Sequence, residues 1–241
     1  MTIARSFVIG DVHGCLDELD RLLDGIQPGP ADTVCLLGDY IDRGPTPRGV
    51  IDRLIRLSSE GPCCVFLKGN HEDMFLSFLG EPGRHGDAFL WNGGDATLAS
   101  YGLSGHTGAE VAARLPTAHH EFLRGLRTHA YVGGCLCVHA GVRPTRPLAE
   151  QSEEDLLWIR EDFVRVPHPF PYTVLFGHTP HRDVWTDLPS KIALDTGVVY
   201  GNMLSCLEVE ARQVWQIARG GVDVRHRPLF PAAPDPLLRP S

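Results

Sequence analysis

The feature that most constrains this chain is a short apolar run that recurs and each time stops at or near a glycine. The runs are SFVIG (6–10), TVCLLG (33–38), CCVFLKG (63–69), CLCVHAG (135–141), TVLFGH (173–178) and KIALDTG (191–197). Their length and their content of Val, Leu, Ile, Phe and Cys make them strands. Between the first two, Leu16, Leu19, Leu22 and Leu23 recur at helical spacing, and after the second Val50, Ile51, Leu54, Ile55 and Leu57 do the same. Strands alternating with amphipathic helices predict an α/β fold whose ligands lie where loops leave the carboxyl ends of strands. Further on, NMLSCLEVE and RQVWQIA alternate and abut, which predicts an antiparallel hairpin closing a mixed sheet. The expected organisation is one domain over residues 1–224 followed by an irregular, proline-rich tail over 225–241. A Gly-, His- and Asn-rich stretch over 80–108 reads either as a lid over the site or as a surface connection.

Five of the strand ends carry a side chain able to bind a metal: Asp11 with His13, Asp39, Asn70 with His71, His139, and His178. Taken singly, an Asp or Asn there is a helix cap or turn residue, and a lone histidine is a satisfied histidine. Five at the same end of an α/β sheet, all offering oxygen or imidazole nitrogen and none a thiolate, point instead to a metal site. The six donors Asp11, His13, Asp39, Asn70, His139 and His178 exceed the needs of one tetrahedral zinc and suit two ions sharing a carboxylate. Imidazole, carboxylate and amide together favour manganese, iron or zinc over magnesium or calcium.

The rest of the composition excludes other classes. A net charge of -8 works against a polyanion binder, so no nucleic-acid partner is expected and phosphate recognition must be local. No stretch approaches the roughly 20 apolar residues of a membrane span, and the N-terminus reads as a first strand rather than a signal peptide. Of the seven cysteines, Cys35, Cys63, Cys64, Cys135, Cys137 and Cys206 sit inside apolar runs, and Cys135 and Cys137 lack the C-x-x-C spacing of a zinc site. They read as reduced core thiols of a cytoplasmic protein.

The blocks GDVHG (10–14), GDYIDRG (38–44), GNHE (69–72), HAG (139–141) and GHTP (177–180) resemble those of the calcineurin-like metallophosphoesterases, in particular the phosphoprotein phosphatase branch in its compact bacterial and phage form. WNGG (91–94), WIRE (158–161) and DTGVVYG (195–201) extend the resemblance over nearly the whole domain. It implies a four-layer α/β/β/α sandwich of two mixed sheets flanked by helices, with two divalent metals, manganese first among them, at one edge. It also implies that Asp11, His13 and His178 hold the first metal with Asp39, and that Asp39 bridges to a second completed by Asn70 and His139. Hydrolysis would then proceed by direct attack of a metal-bridging hydroxide, with no phosphoenzyme.

The same resemblance assigns His71 as general acid, Asp42 as the carboxylate that orients it, and Arg43 and Arg160 as clamps on the phosphoryl oxygens. Asn70 and an aromatic, Tyr200, join Arg43 and Arg160 on the substrate side. Outside the blocks, Asp42 and Arg43 would read as a surface pair in a turn, Arg160 as a partner of Glu154 or Glu161, and His119, His120, His181 and His226 as solvated.

The expected substrate is phosphoserine or phosphothreonine, with phosphotyrosine open, in a phosphoprotein or phosphopeptide, and the protein is expected to be a monomer. A symmetrical dinucleoside tetraphosphatase is the alternative within the superfamily. That branch typically carries alanine at the position of Asp42, Asp at that of Glu72, and Trp after its last Gly-His. An inactive phosphate-binding module is a third reading, weakened because every ligand position is filled.

Overall fold

The computed structural model describes residues 4–230. Strand β1 (Ser6–Ile9) leads through helix α1 (Leu16–Ile26) to β2 (Thr33–Leu36), and β2 leads through α2 (Pro47–Leu57) to β3 (Cys63–Phe66). These three strands are parallel, as such crossovers require. Helix α3 (Asn70–Phe78) follows β3 directly. Three more short helices, α4 (Gly94–Ser100), α5 (Gly108–Ala112) and α6 (Thr117–Arg124), precede an antiparallel hairpin of β4 (His129–Val132) and β5 (Cys135–Val138). The chain continues through α7 (Glu153–Trp158), α8 (Glu161–Val164), β6 (Val174–Phe176), β7 (Trp185–Asp187) and β8 (Lys191–Ala193). It returns as β9 (Met203–Glu208), β10 (Gln213–Ala218) and β11 (Arg225–Pro228).

Two mixed sheets result, one of six strands in the order β11-β10-β9-β1-β2-β3 and one of five in the order β4-β5-β6-β8-β7. Each central strand feeds two cores by its period-2 alternation. Phe7, Ile9, Val34 and Leu36 pack under the helices, whereas Val8 and Cys35 face the space between the sheets. In the five-stranded sheet, Cys137, Leu175 and Ile192 face that same space, while Val138, Phe176 and Ala193 pack beneath α7 and α8. Burial on both faces explains why these strands read as unbroken apolar runs rather than alternating ones. The four layers are the expected sandwich, and all six apolar runs contain a strand.

The expectations fail where pairing overrides local sequence. Residues 225–228 form β11, paired antiparallel with Gln213–Gln216 of β10, so the irregular tail does not begin at 225. An Arg- and His-rich edge strand has little intrinsic β propensity, but its long polar side chains suit a half-exposed edge. The remainder of the expected tail, 231–241, lies outside the described residues. Cys63 opens the edge strand β3 and is exposed, unlike the core thiols Cys35, Cys137 and Cys206. His119 is buried rather than solvated: its Nδ1 lies 2.7 Å from the Tyr101 hydroxyl and its Nε2 2.9 Å from Asp52 Oδ1, tying α6 to α2. Among the described residues, no helix is long and apolar enough to cross a membrane.

Candidate metal and phosphate site

The carboxyl ends of parallel β1, β2 and β3 meet those of parallel β5, β6 and β8, and the donor residues sit on the loops that leave them or, for Asn70, at the first position of α3. Here the backbone is unusual. His13, Asp39, Asp42, Arg43 and His178 all adopt positive φ, at 43°, 52°, 69°, 66° and 64°. Non-glycine residues hold such angles when surrounding bonds over-determine them, and such strain clusters at functional sites.

Those bonds are visible around Asp39. The buried Glu72 carboxylate accepts from the backbone N–H groups of Asp39 (2.9 Å), Tyr40 (2.8 Å), Ile41 (3.3 Å) and Gly69 (2.9 Å). Burial and the Asp39 charge push Glu72 up to about 7, yet its oxygens face backbone donors, so the ionised form is the one that fastens this loop. The backbone leaves no slack on the ligand side: a Cβ on Gly69 would lie 2.1 Å from Asp39 Oδ1, and one on Gly177 2.0 Å from Asp11 Oδ1.

Second hydrogen bonds aim the imidazoles. His13 Nδ1 lies 2.8 Å from the Ile41 carbonyl and His139 Nδ1 2.9 Å from the Leu37 carbonyl, so each ring donates there and turns the Nε2 lone pair into the site. His13 Nε2 is 3.4 Å from Asp39 Oδ2, and His139 Nε2 is 3.4 Å from Asp39 Oδ1 and 3.0 Å from Asn70 Oδ1. His178 Nδ1 lies 2.8 Å from Asn70 Oδ1. Burial, above all, holds His13 at about 3 and pulls His139 and His178 below the ordinary imidazole range, keeping these lone pairs free.

This donor set fits a pair of cations. Acceptor faces acceptor at His139 Nε2 and Asn70 Oδ1, an apposition that a shared cation relieves. Asp11 Oδ1 and His178 Nε2 are buried without a hydrogen-bond partner. Burial and the neighbouring carboxylates Asp195 and Asp39 push Asp11 well above the carboxylate range, the signature of crowded negative charge lacking a counter-charge. Asp39 is the exception: burial opposes its charge, but the imidazoles ranged around it, of which His71 is the one held in its charged form, outweigh that and keep it below the ordinary range.

Asp39, His139 and His178 bring ligand atoms within 4.8 Å of one another, as do His13, Asp39 and His71. The His178 ring thus lies beside His139 and, through Nδ1, beside Asn70, because the β6 loop emerges next to the β5 loop. Asp11 stands outside both groups, with Oδ2 accepting from His178 N at 3.0 Å. Asp39 touches both groups, as a bridge must.

His71 lies beside this centre with Nδ1 2.6 Å from Asp42 Oδ2 and Nε2 4.0 Å from Asp39 Oδ2. Burial opposes the imidazolium, but Asp39 and Asp42 overcome it and raise His71 above its ordinary range, leaving a proton on a ring aimed at the site. Arg43 Nη1 reaches His13 Nε2 at 2.7 Å, and its guanidinium lies 5.6 Å from the Tyr200 ring centroid. Arg160 pairs with neither Glu154 nor Glu161; its Nη1 donates to His178 O (3.0 Å) and Thr179 Oγ1 (3.3 Å), which puts the cation at the site's edge.

Besides Glu72, three further supporting residues were not among the expected site residues. Thr97 of α4 donates to Asp42 Oδ1 at 2.5 Å and accepts from Asp42 N at 2.9 Å, and Gly93 O accepts from Arg43 N at 3.0 Å. The 80–108 stretch is thus neither a free connection nor a detached lid, since Thr97 of its helix holds Asp42 and Gly93 just before that helix holds Arg43. Asp195, buried at the end of β8 and raised to about 6 by burial, adds another carboxylate. It repeats the apolar-run-then-acid pattern of the other strand ends without the preceding glycine.

Comparison with known proteins decides the family, because the family model for calcineurin-like phosphoesterases matches residues 4–205. The chain belongs to the calcineurin-like phosphoesterases. It is therefore a phosphatase-like hydrolase of a family that works with two metals. Among its relatives, a symmetrical bis(5'-nucleosyl)-tetraphosphatase of Dechloromonas aromatica is 27% identical, covering 88% of this chain and 95% of its own. Serine/threonine-protein phosphatase 1 of Salmonella typhimurium is 29% identical, over 85% of this chain and 91% of that protein. A solved chain described as a candidate diadenosine tetraphosphatase shares the fold at a TM-score of 0.69 and 24% identity, covering 89% of this chain and 93% of that one.

Proposed function

We propose that the chain is a dinuclear-metal phosphomonoesterase that removes phosphate from phosphoserine and phosphothreonine in proteins. The observation that carries this reading is the buried His71–Asp42 pair at 2.6 Å, braced by Thr97. A serine or threonine alkoxide is a poor leaving group and needs a proton as it departs, whereas a nucleoside polyphosphate leaves as a stabilised anion. A proton-delivering imidazole oriented by a carboxylate is of most use in the first case. When bound, two divalent cations, with a donor set that suits manganese, iron or zinc and manganese the one the family resemblance puts first, would supply water activation near neutral pH and neutralise phosphoryl charge. Arg43 and Arg160 would hold the non-bridging oxygens from two sides, and Asp42 would keep the His71 proton directed at the leaving oxygen.

A second reading, symmetrical dinucleoside tetraphosphatase, is favoured by the similarity to the Dechloromonas protein over 88% of the chain. The two separate in one assay. Protein stripped of metal and reloaded with manganese is given phosphoserine, phosphothreonine and phosphotyrosine peptides and diadenosine tetraphosphate. Faster metal-dependent phosphate release from the peptides is expected, and preferential splitting of the dinucleotide would move the substrate to the second reading. In the same assay His71→Asn should retain its metal and lose about 10²–10⁴ in kcat on phosphoserine, with a much smaller loss on an aryl phosphate. Equal losses on both would remove His71 from the acid role.

A further inference from the structure

Leu90 and Trp91 are consecutive, large and apolar, yet both are exposed, Trp91 at 92%. They lie on a single 3-10 turn, Leu90–Asn92, that leads straight into Gly93. Gly93 is pressed onto the phosphate clamp: its carbonyl accepts from Arg43 N at 3.0 Å, and at φ +95° a Cβ there would come within 2.7 Å of Arg43 Cγ. The turn is further fixed by Gly94 N donating to Phe89 O and by the Asn92 amide donating to Ala88 O. Phe89 is itself fully buried, stacked on Phe75 of α3 at 5.0 Å. The exposed Trp91 ring is thus borne on a rigid support rooted in the core, with no packing role of its own.

We infer that Trp91, with Leu90, forms an apolar shelf beside Arg43 that takes an aromatic side chain flanking the phosphorylated residue of a peptide substrate. The reach is right. Trp91 and Gly93 are two residue steps apart with Asn92 between them, at most about 7 Å of chain, comparable to the one or two residue steps of an extended peptide bound at Arg43. Tyr200, also exposed, lies with its ring centroid 5.6 Å from the same guanidinium, so aromatic surface already flanks the clamp on one side. Stacking on such a surface selects flat apolar groups without demanding a sequence. The inference rests on the phosphopeptide reading for its substrate, and its test is built to fail separately.

The test uses the full-length, manganese-loaded protein and peptides carrying a non-hydrolysable phosphonate analogue of phosphoserine flanked by glycine or by tryptophan. Binding is followed by fluorescence anisotropy. Wild type should bind the tryptophan-flanked peptide about tenfold more tightly, a gain of the size that aromatic pairs supply. Trp91→Ala should abolish that preference while leaving the glycine-flanked peptide unaffected, and Trp91→Phe should restore most of it. Equal affinities in wild type, or a preference that survives in Trp91→Ala, would overturn the shelf. Sedimentation of wild type and Trp91→Ala reads the competing occupant: a dimer lost in the variant would give the shelf to a second copy of the chain. Failure of the matching phosphopeptides to turn over while diadenosine tetraphosphate is split would remove the protein phosphatase reading, and the anisotropy result would still decide the shelf.

Discussion

The two arginines proposed to grip phosphate are held in opposite ways. Arg43 ends a loop in which Asp39, Asp42 and Arg43 all sit at positive φ, fastened by Glu72, Thr97 and Gly93. Arg160 follows a six-residue helix, at φ −129° and ψ −104°, and its side chain rests on the His178 carbonyl and the Thr179 hydroxyl. Left-handed backbone costs of order 1–3 kcal/mol per residue, so the first loop is an expensive, rigid frame, whereas the exposed Arg160 side chain is held only by one carbonyl and one hydroxyl. The difference follows the chemistry. Residues that must hold charge and a proton within tenths of an ångström are over-determined, whereas a residue that closes on an incoming group needs freedom to move.

Three substitutions bear on this contrast. Asp39→Asn should have the largest effect, reducing turnover to a few per cent or less and lowering bound manganese measured by elemental analysis, because both donor groups share this carboxylate. Substantial activity with full metal would break the bridging assignment. Glu72→Gln comes next: an amide N–H₂ would face backbone donors, costing about 1–3 kcal/mol of stability by thermal melting. Manganese affinity should fall about 10–100-fold by calorimetry, although Glu72 is placed to support the ligands rather than to bind metal. An unchanged affinity would mean that the loop keeps its shape unaided. Arg160→Ala should be mildest, raising KM about tenfold with the melting temperature unchanged, as expected for one charge-assisted contact on an exposed arm. A fall in melting temperature would show that Arg160 belongs to the frame after all.

How much of this was legible depended on the range over which each signal acts. Each ligand lies within a few residues of its own apolar run, so Asp11, His13, Asp39, Asn70, His139 and His178 could be read one strand end at a time. Their grouping in space could not, because it depends on β6 lying beside β5, a fact of topology. Thr97 is 55 residues from Asp42, and nothing local to either marks the bond between them. The three-residue β7 and the basic β11 escaped for a related reason, since their partners rather than their own composition hold them extended. His119 looked solvated because its partners, Tyr101 and Asp52, come from separate helices.

Gly69 and Gly177 offer no functional atom, yet a single methyl group on either would strike a donor oxygen of Asp39 or Asp11. Sequence drift at these positions has no small first step available, because the smallest change at either glycine already displaces an acid that the chemistry needs. Divergence in what the protein acts upon is therefore channelled to side chains that stand exposed to solvent, such as Leu90 and Trp91.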